Sequence, residues 1–165
     1  MKAAPTAAII RIFNQEGLGI DASSGHEASR ATRAGVGTEK ISLSTQELSN
    51  DFASFVHDGV KINLSSIRQL ERYAEQFPGT SIGLRFNPGL GSGGTAKTNV
   101  GGPSSSFGIW KDDLELARSI AEGASLTIER IHTHIGSGSD PEVWQRVAAL
   151  SLGIMEAFPQ ADTLN

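Results

Sequence analysis

Short apolar segments of strand length, each handed through glycine or serine to an amphipathic stretch, recur along this 165-residue chain. No other feature restricts its fold as much. Residues 7–16 carry Ile9, Ile10 and Phe13 at helical spacing and stop at Gly17, after which residues 18–23 read as a short buried strand. Residues 25–34 form a helix ended by Gly35, residues 40–45 a strand, residues 48–57 a helix and residues 60–64 a strand. Ser65-Ser66 then caps a helix that runs through Phe77. Residues 82–86 are a strand again. Residues 87–106 are a glycine- and serine-rich loop without core periodicity, long enough to be functional rather than a mere connection. Phe107 to Trp110 ends it. A helix at 112–122, a strand at 126–134 and a helix at 141–158 with proline at its first position follow, and residues 161–165 open a further strand.

Strands alternating with crossover helices mean parallel β/α units. Five complete strands with a sixth beginning suit either an open doubly wound sheet or part of a (β/α)₈ barrel, whose full length is about 250 residues. Asp21-Ala22-Ser23-Ser24, Asn63, Arg85 and His134-Ile135-Gly136-Ser137-Gly138 all fall where a strand hands over to the next loop. That distribution favours the barrel, in which the loops after all strands converge.

Composition narrows the function classes. A hydrophobic share of 38% is enough for one domain core. Fourteen basic against eighteen acidic residues, with few aromatics, argue against nucleic acid as a partner. No apolar run reaches the ~20 residues of a membrane span, and the first residues are too weakly hydrophobic for a signal peptide, so no membrane partner and a cytoplasmic location are expected. The absence of cysteine removes disulfides, thiolate metal sites and a cysteine nucleophile from this chain.

Chemistry concentrates in residues 131–138, Ile-His-Thr-His-Ile-Gly-Ser-Gly. On a strand, His132 and His134 share a face while Thr133 points away. Gly136, Ser137 and Gly138 then expose backbone N–H groups ahead of a helix start, an arrangement suited to phosphate. Two same-face imidazoles also suit a metal, but the carboxylates Asp21 and Glu27 do not gather round a third histidine, and no metal site is assigned. The plainer alternatives are a strand-end histidine tied to a carbonyl, a loop-capping Asp21, a salt-bridged Arg85 and a solvated Lys2. Arg85 carries a planar fork that fits phosphate or carboxylate. His26 and His57 fall in helices and read as surface residues.

Taken together, Lys2-Ala3, Ile10-Arg11, residues 19–25 (Gly-Ile-Asp-Ala-Ser-Ser-Gly) with Glu27, residues 84–89 (Leu-Arg-Phe-Asn-Pro-Gly), residues 97–102 (Lys-Thr-Asn-Val-Gly-Gly), residues 107–110 (Phe-Gly-Ile-Trp) and residues 132–138 resemble the diaminopimelate decarboxylase family in order and spacing. That family is one of the alanine-racemase-like, pyridoxal-phosphate-dependent enzymes, built as a (β/α)₈ barrel followed by a separate β-domain. The resemblance implies an α/β fold, with residues 1–165 an incomplete pyridoxal-phosphate-binding barrel domain that lacks its first strand, its last strands and the β-domain. Lys2 is implied as the catalytic lysine that condenses with the cofactor's aldehyde. His134, also catalytic, stacks on the pyridine ring; Ser137 and the glycine N–H groups around Gly136 reach the phosphate; Asp21 and Arg85 lie near the cofactor. Ser106 and Ala4 depart from the family, which commonly has lysine and asparagine at those places.

The expected activity is therefore pyridoxal 5'-phosphate-dependent decarboxylation of meso-2,6-diaminopimelate to L-lysine, a carbon–carbon lyase reaction with a small amino acid as partner. The chain is expected to be an inactive fragment of a homodimeric parent, since the family's phosphate-binding glycine loop, the acidic partner of the pyridine nitrogen and the neighbouring subunit's cysteine all lie beyond Asn165. A decarboxylase of another basic amino acid (ornithine, arginine or carboxynorspermidine type), a non-catalytic pyridoxal-phosphate carrier and a metal-dependent barrel hydrolase remain open. His132, one strand step deeper than His134, is assigned to packing and support.

Overall fold

A computed structural model describes residue 1 and residues 4–90, 105–136 and 138–165. Lys2, Ser137 and residues 91–104 of the long loop lie outside the described residues. The chain forms two compact units, Met1–Asn63 and Leu64–Asn165.

In the first unit the strands β1 (Ile20–Ala22), β2 (Ile41–Ser44) and β3 (Lys61–Leu64) are parallel and lie in chain order, with Ala22 opposite Leu43 and Leu43 opposite Ile62. The helices are α1 (Ala7–Gln15), α2 (Gly25–Arg33) and α3 (Phe52–His57). Alternation along the strands separates two faces. Ile20, Ala22, Ile41, Leu43 and Ile62 are buried on one, and Asp21, Ser42, Ser44 and Asn63 occupy the other. Helix α2 packs on β1 and β2 through Ala28 and Ala31, both fully buried, whose single methyl groups let helix and sheet come close.

Helix α3 begins at Phe52 rather than at Leu48. The reason lies in the polar run before it: Thr45 Oγ1 accepts from the Glu47 N–H (3.3 Å) and donates to the Glu47 carbonyl (3.0 Å), so side chains hold the backbone in a turn in place of a helix.

The second unit contains α4 (Ile67–Gln76), β4 (Ser81–Asn87), β5 (Ile109–Trp110), α5 (Leu114–Gly123), β6 (Thr127–Thr133), α6 (Pro141–Glu156) and β7 (Thr163–Leu164). All strand pairings are parallel: β4 with β6, β6 with β7, and the carboxyl end of β4 with β5. The order β4-β6-β7 has no reversal, as the order β1-β2-β3 has none. Successive parallel strands without a switch point are the repeat of a (β/α)₈ barrel and not of a doubly wound sheet.

β5 is a strand where the sequence suggested only the end of a loop. It pairs because Gly108 (φ +88°) lies against the end of β4, where a Cβ would meet the Asn87 nitrogen and the Phe86 carbonyl carbon at 2.9 Å each. Only glycine allows that approach. Helix α6 starts at Pro141 as expected, with Asp140 Oδ1 accepting from the Glu142 N–H at 2.9 Å. It stops at Glu156, short of Phe158, because Pro159 disfavours helical backbone at the residue before it. Phe158 turns inward instead and packs on Phe86, ring centroids 5.9 Å apart.

Two strand-to-helix turns share one construction. After β1, Ser24 Oγ accepts from the Glu27 N–H (3.3 Å) while Glu27 Oε2 accepts from the Ser23 N–H (2.8 Å). After β3, Ser66 Oγ accepts from the Gln69 N–H (3.2 Å) while Gln69 Oε1 accepts from the Ser65 N–H (2.7 Å). Both are capping boxes shifted back by one residue on the return bond, and they fix where each helix leaves its strand. Among the described residues no helix is long and apolar enough to cross a membrane.

Candidate active site

In the second unit the site is built on a register irregularity. Ile82 pairs with Ile128 and Gly83 with Arg130, so β6 carries Glu129 as an extra residue. Such a bulge changes which face the following side chains take. Ile128 is buried against the α5 and α6 side, near Ala121 and Phe158, yet two residues beyond Arg130 it is His132 that stands opposite Arg85 and shares its face. Thr133 points the other way, its Oγ1 2.8 Å from Ser151 Oγ on α6. Without the bulge the alternation would aim His132 at the helices.

His132 is 9% exposed, and its Nδ1 is buried with no hydrogen-bond partner. Burial, followed by the charge of Arg85 and then by His134, pushes its pKa from the usual 6.5 down to about 4. The ring is therefore uncharged at neutral pH. The Arg85 guanidinium lies 5.2 Å from the centroid of the Phe107 ring, a cation–π contact that holds the fork on the side of the Phe-Gly turn.

His134 lies just past the last residue of β6 and is exposed, and Gly136 follows with φ +101°. The structure thus brings Arg85, His132 and His134 into electrostatic contact at the carboxyl ends of β4 and β6. The sequence placed Arg85, His134 and Gly136 at strand ends and assigned His132 to packing; the structure buries His132, and its pairing opposite Arg85 depends on the bulge.

Asn87, also unassigned from sequence, ties both stems of the long loop. Its Oδ1 accepts from the Gly89 N–H (2.9 Å) and its Nδ2 donates to the Ser105 carbonyl (3.2 Å). The Asn87-Pro88-Gly89 motif was the available signal, since asparagine before Pro-Gly favours such a side-chain turn.

The first unit carries its own polar face. Asn63, 1% exposed, donates from Nδ2 to Ser42 Oγ (3.0 Å) and Ser44 Oγ (2.9 Å), and Ser44 Oγ lies 3.4 Å from Asp21 Oδ1. Ser44 gives its proton toward a carboxylate, so the amide must be the donor to Ser44. Asp21 itself is exposed on β1. Its backbone oxygen accepts from the amino group of Met1 at 2.9 Å. His26 and His57 are exposed on their helices.

The donor set fits an anionic heteroaromatic ligand: one guanidinium and two imidazoles, of which the deeper is uncharged, beside a glycine at positive φ. Among the described residues no group of three or more histidine, cysteine, aspartate or glutamate side chains could hold a metal ion.

Residues 1–160 match the family described as "Pyridoxal-dependent decarboxylase, pyridoxal binding domain". The chain is 35% identical over 144 residues to diaminopimelate decarboxylase of Streptomyces coelicolor, which covers 84% of this chain and 33% of that protein. A crystal structure of diaminopimelate decarboxylase superposes with a TM-score of 0.90 at 30% identity, over 99% of this chain and 40% of the other. The enzyme from Helicobacter pylori, solved with L-lysine, gives a TM-score of 0.80 over 94% of this chain and 42% of the other; at 24% identity it speaks for the fold alone. The chain spans about one third of the length of the curated relatives it matches. The fold class is α/β, part of a (β/α)₈ barrel.

Proposed function

Because this chain belongs to the pyridoxal-dependent decarboxylases, within their pyridoxal-binding domain, we propose that it is the cofactor-holding part of a diaminopimelate decarboxylase. That enzyme removes CO₂ from meso-2,6-diaminopimelate and leaves L-lysine. The observation that carries the reading is the cluster of Arg85, His132 and His134, a basic and partly desolvated set of groups at neighbouring strand ends. The identity to diaminopimelate decarboxylases, at 35% over most of the chain, supports the choice of substrate.

When bound, pyridoxal phosphate supplies the sink for the electron pair left on the α-carbon as the carboxylate carbon departs. The chain's residues take the other tasks. Lys2 offers the amine that holds the cofactor's aldehyde carbon. Exposed at the strand end, His134 has the flat ring to lie against a pyridine, and Gly136 with Ser137 offers N–H and hydroxyl donors to a phosphate. Arg85, steadied on Phe107, orients an anionic oxygen, and Asp21, steadied by Ser44, gives the cofactor a polar neighbour. Residues 1–165 contribute barrel elements in this reading, and turnover belongs to an enzyme holding the further elements of the relatives. A cytoplasmic homodimer acting on a small amino acid, with neither nucleic acid nor membrane as partner, completes it.

Incubation of the chain with pyridoxal phosphate, followed by borohydride and peptide mass spectrometry, tests the lysine. The expected result is a fixed adduct on the peptide containing Lys2, lost in Lys2→Ala. An adduct that persists unchanged in that variant refutes the assignment.

A further inference from the structure

His132 belongs to the cluster that carries the function proposed above but is given no task of its own there, and three features argue that it is placed rather than merely packed. The extra residue Glu129 turns it onto the face of Arg85. It is nine-tenths buried, and Nδ1 is kept from water without a partner, an arrangement that costs stability unless something is to be bound. It also stands opposite Arg85 and within electrostatic reach of His134, so that a further positive charge would be repelled and a negative one drawn in.

We propose that His132 is a ligand-facing residue of the pyridoxal site, offering a ring N–H to the same anionic oxygen that Arg85 attracts. The inference rests on the reading of this chain as a pyridoxal-binding domain. An imidazole pushed down to a pKa of about 4 keeps a single proton at neutral pH, and that proton can sit on either nitrogen. It donates one hydrogen bond without adding charge beside Arg85. The group it meets is an anionic oxygen of a phosphate, a phenolate or a carboxylate, which are the anionic groups that cofactor and substrate bring.

The test uses the 165-residue chain labelled with ¹⁵N at its four histidines, the His132 ring signals being identified by their loss in His132→Phe. The labelled chain is titrated separately with pyridoxal phosphate, pyridoxal, inorganic phosphate and, in the presence of cofactor, diaminopimelate. A His132 shift with pyridoxal as well as its phosphate assigns the phenolate oxygen. A shift shared by pyridoxal phosphate and inorganic phosphate assigns the phosphate, and one requiring diaminopimelate assigns the substrate carboxylate. Any of the three supports the inference.

His132→Phe is expected to weaken binding of the responding ligand by roughly tenfold or more, and His132→Gln, which keeps an N–H donor, to recover much of the loss. Two results overturn the inference: His132 ring signals unmoved by all four compounds, or equal affinity in the wild type and His132→Phe. If the chain forms no adduct on Lys2 yet His132 shifts with inorganic phosphate, the functional reading fails while the anion site stands.

Discussion

On the polar strand face of Met1–Asn63, the buried amide of Asn63 gives both N–H groups to Ser42 and Ser44, and only its Oδ1 lacks a partner. On the corresponding face of Leu64–Asn165, the buried ring of His132 makes no hydrogen bond through Nδ1 and lies among positive charge. The first face is held by neutral hydroxyl and amide groups with one carboxylate at its rim. The second is basic and only partly satisfied. A face that satisfies its donors from its own hydroxyls stabilises the sheet and positions Asp21, whereas a face that leaves a desolvated ring nitrogen beside an arginine is built for something that arrives from outside.

Acid should separate the two most strongly. In the unfolded chain His132 protonates near its ordinary pKa of 6.5, while in the folded unit it resists until about 4. Between those values the unfolded state binds the extra proton, so stability is fully present above pH 6.5 and falls as the pH is lowered through the window. The loss attributable to this one ring amounts to roughly 3 kcal/mol at most. Urea unfolding at pH 7, 6, 5 and 4 should show it in the wild type, and His132→Phe should flatten the slope while changing stability at pH 7 by less than about 1 kcal/mol. An equal slope in both proteins would mean that His132 is solvated in solution.

A smaller effect, independent of pH, is expected on the first face. Asn63→Leu removes the donor of one buried and one part-buried hydrogen bond and takes a partner from Ser42 and from Ser44, at a cost of about 2 kcal/mol that does not vary between pH 5 and 8. Chemical denaturation monitored by tryptophan and far-ultraviolet signals measures it. A neutral outcome would show that the network is dispensable and that the contrast between the faces is one of charge alone.

The smallest effect concerns how helices leave for their strands. Helix α2 ends on Gly35 at φ +94°, with the Val36 N–H bonded to Ala31 and the Gly35 N–H to Thr32. The same pair of bonds closes α5, from Leu126 to Ala121 and from Ser125 to Glu122, but there the left-handed position is taken by Ser125 at φ +55°. Ser125→Gly relieves that conformation and loses some of the gain to the freer unfolded chain. The net expectation is stabilisation by roughly 0.5 kcal/mol, read as a raised urea midpoint. No gain, or a loss, would mean that the serine side chain contributes at this turn.

The sequence alone carried the order and type of nearly every element, because apolar periodicity and the Ser65-Ser66, Gly35 and Pro141 signals are local. The spacing of 2 that put His132 and His134 on one face of a strand was also local. It could not reveal which face that was. Glu129 becomes an extra residue only because β4 pairs with β6 in one register, and the close pass of Gly108 against Phe86 and Asn87, which makes β5, likewise exists only once distant segments meet.

What the residues determined by themselves was therefore a parallel β/α chain with functional groups at strand ends, a likeness to pyridoxal-dependent decarboxylases, and Arg85, His134 and Gly136 as groups worth watching. What only the tertiary structure decided was that His132 faces Arg85, buried and uncharged, and that Asn63 and Ser44 stand behind Asp21. The physical reason is that charge state and orientation are set by desolvation and by neighbours far along the chain, and a sequence does not name those neighbours until the strands have paired.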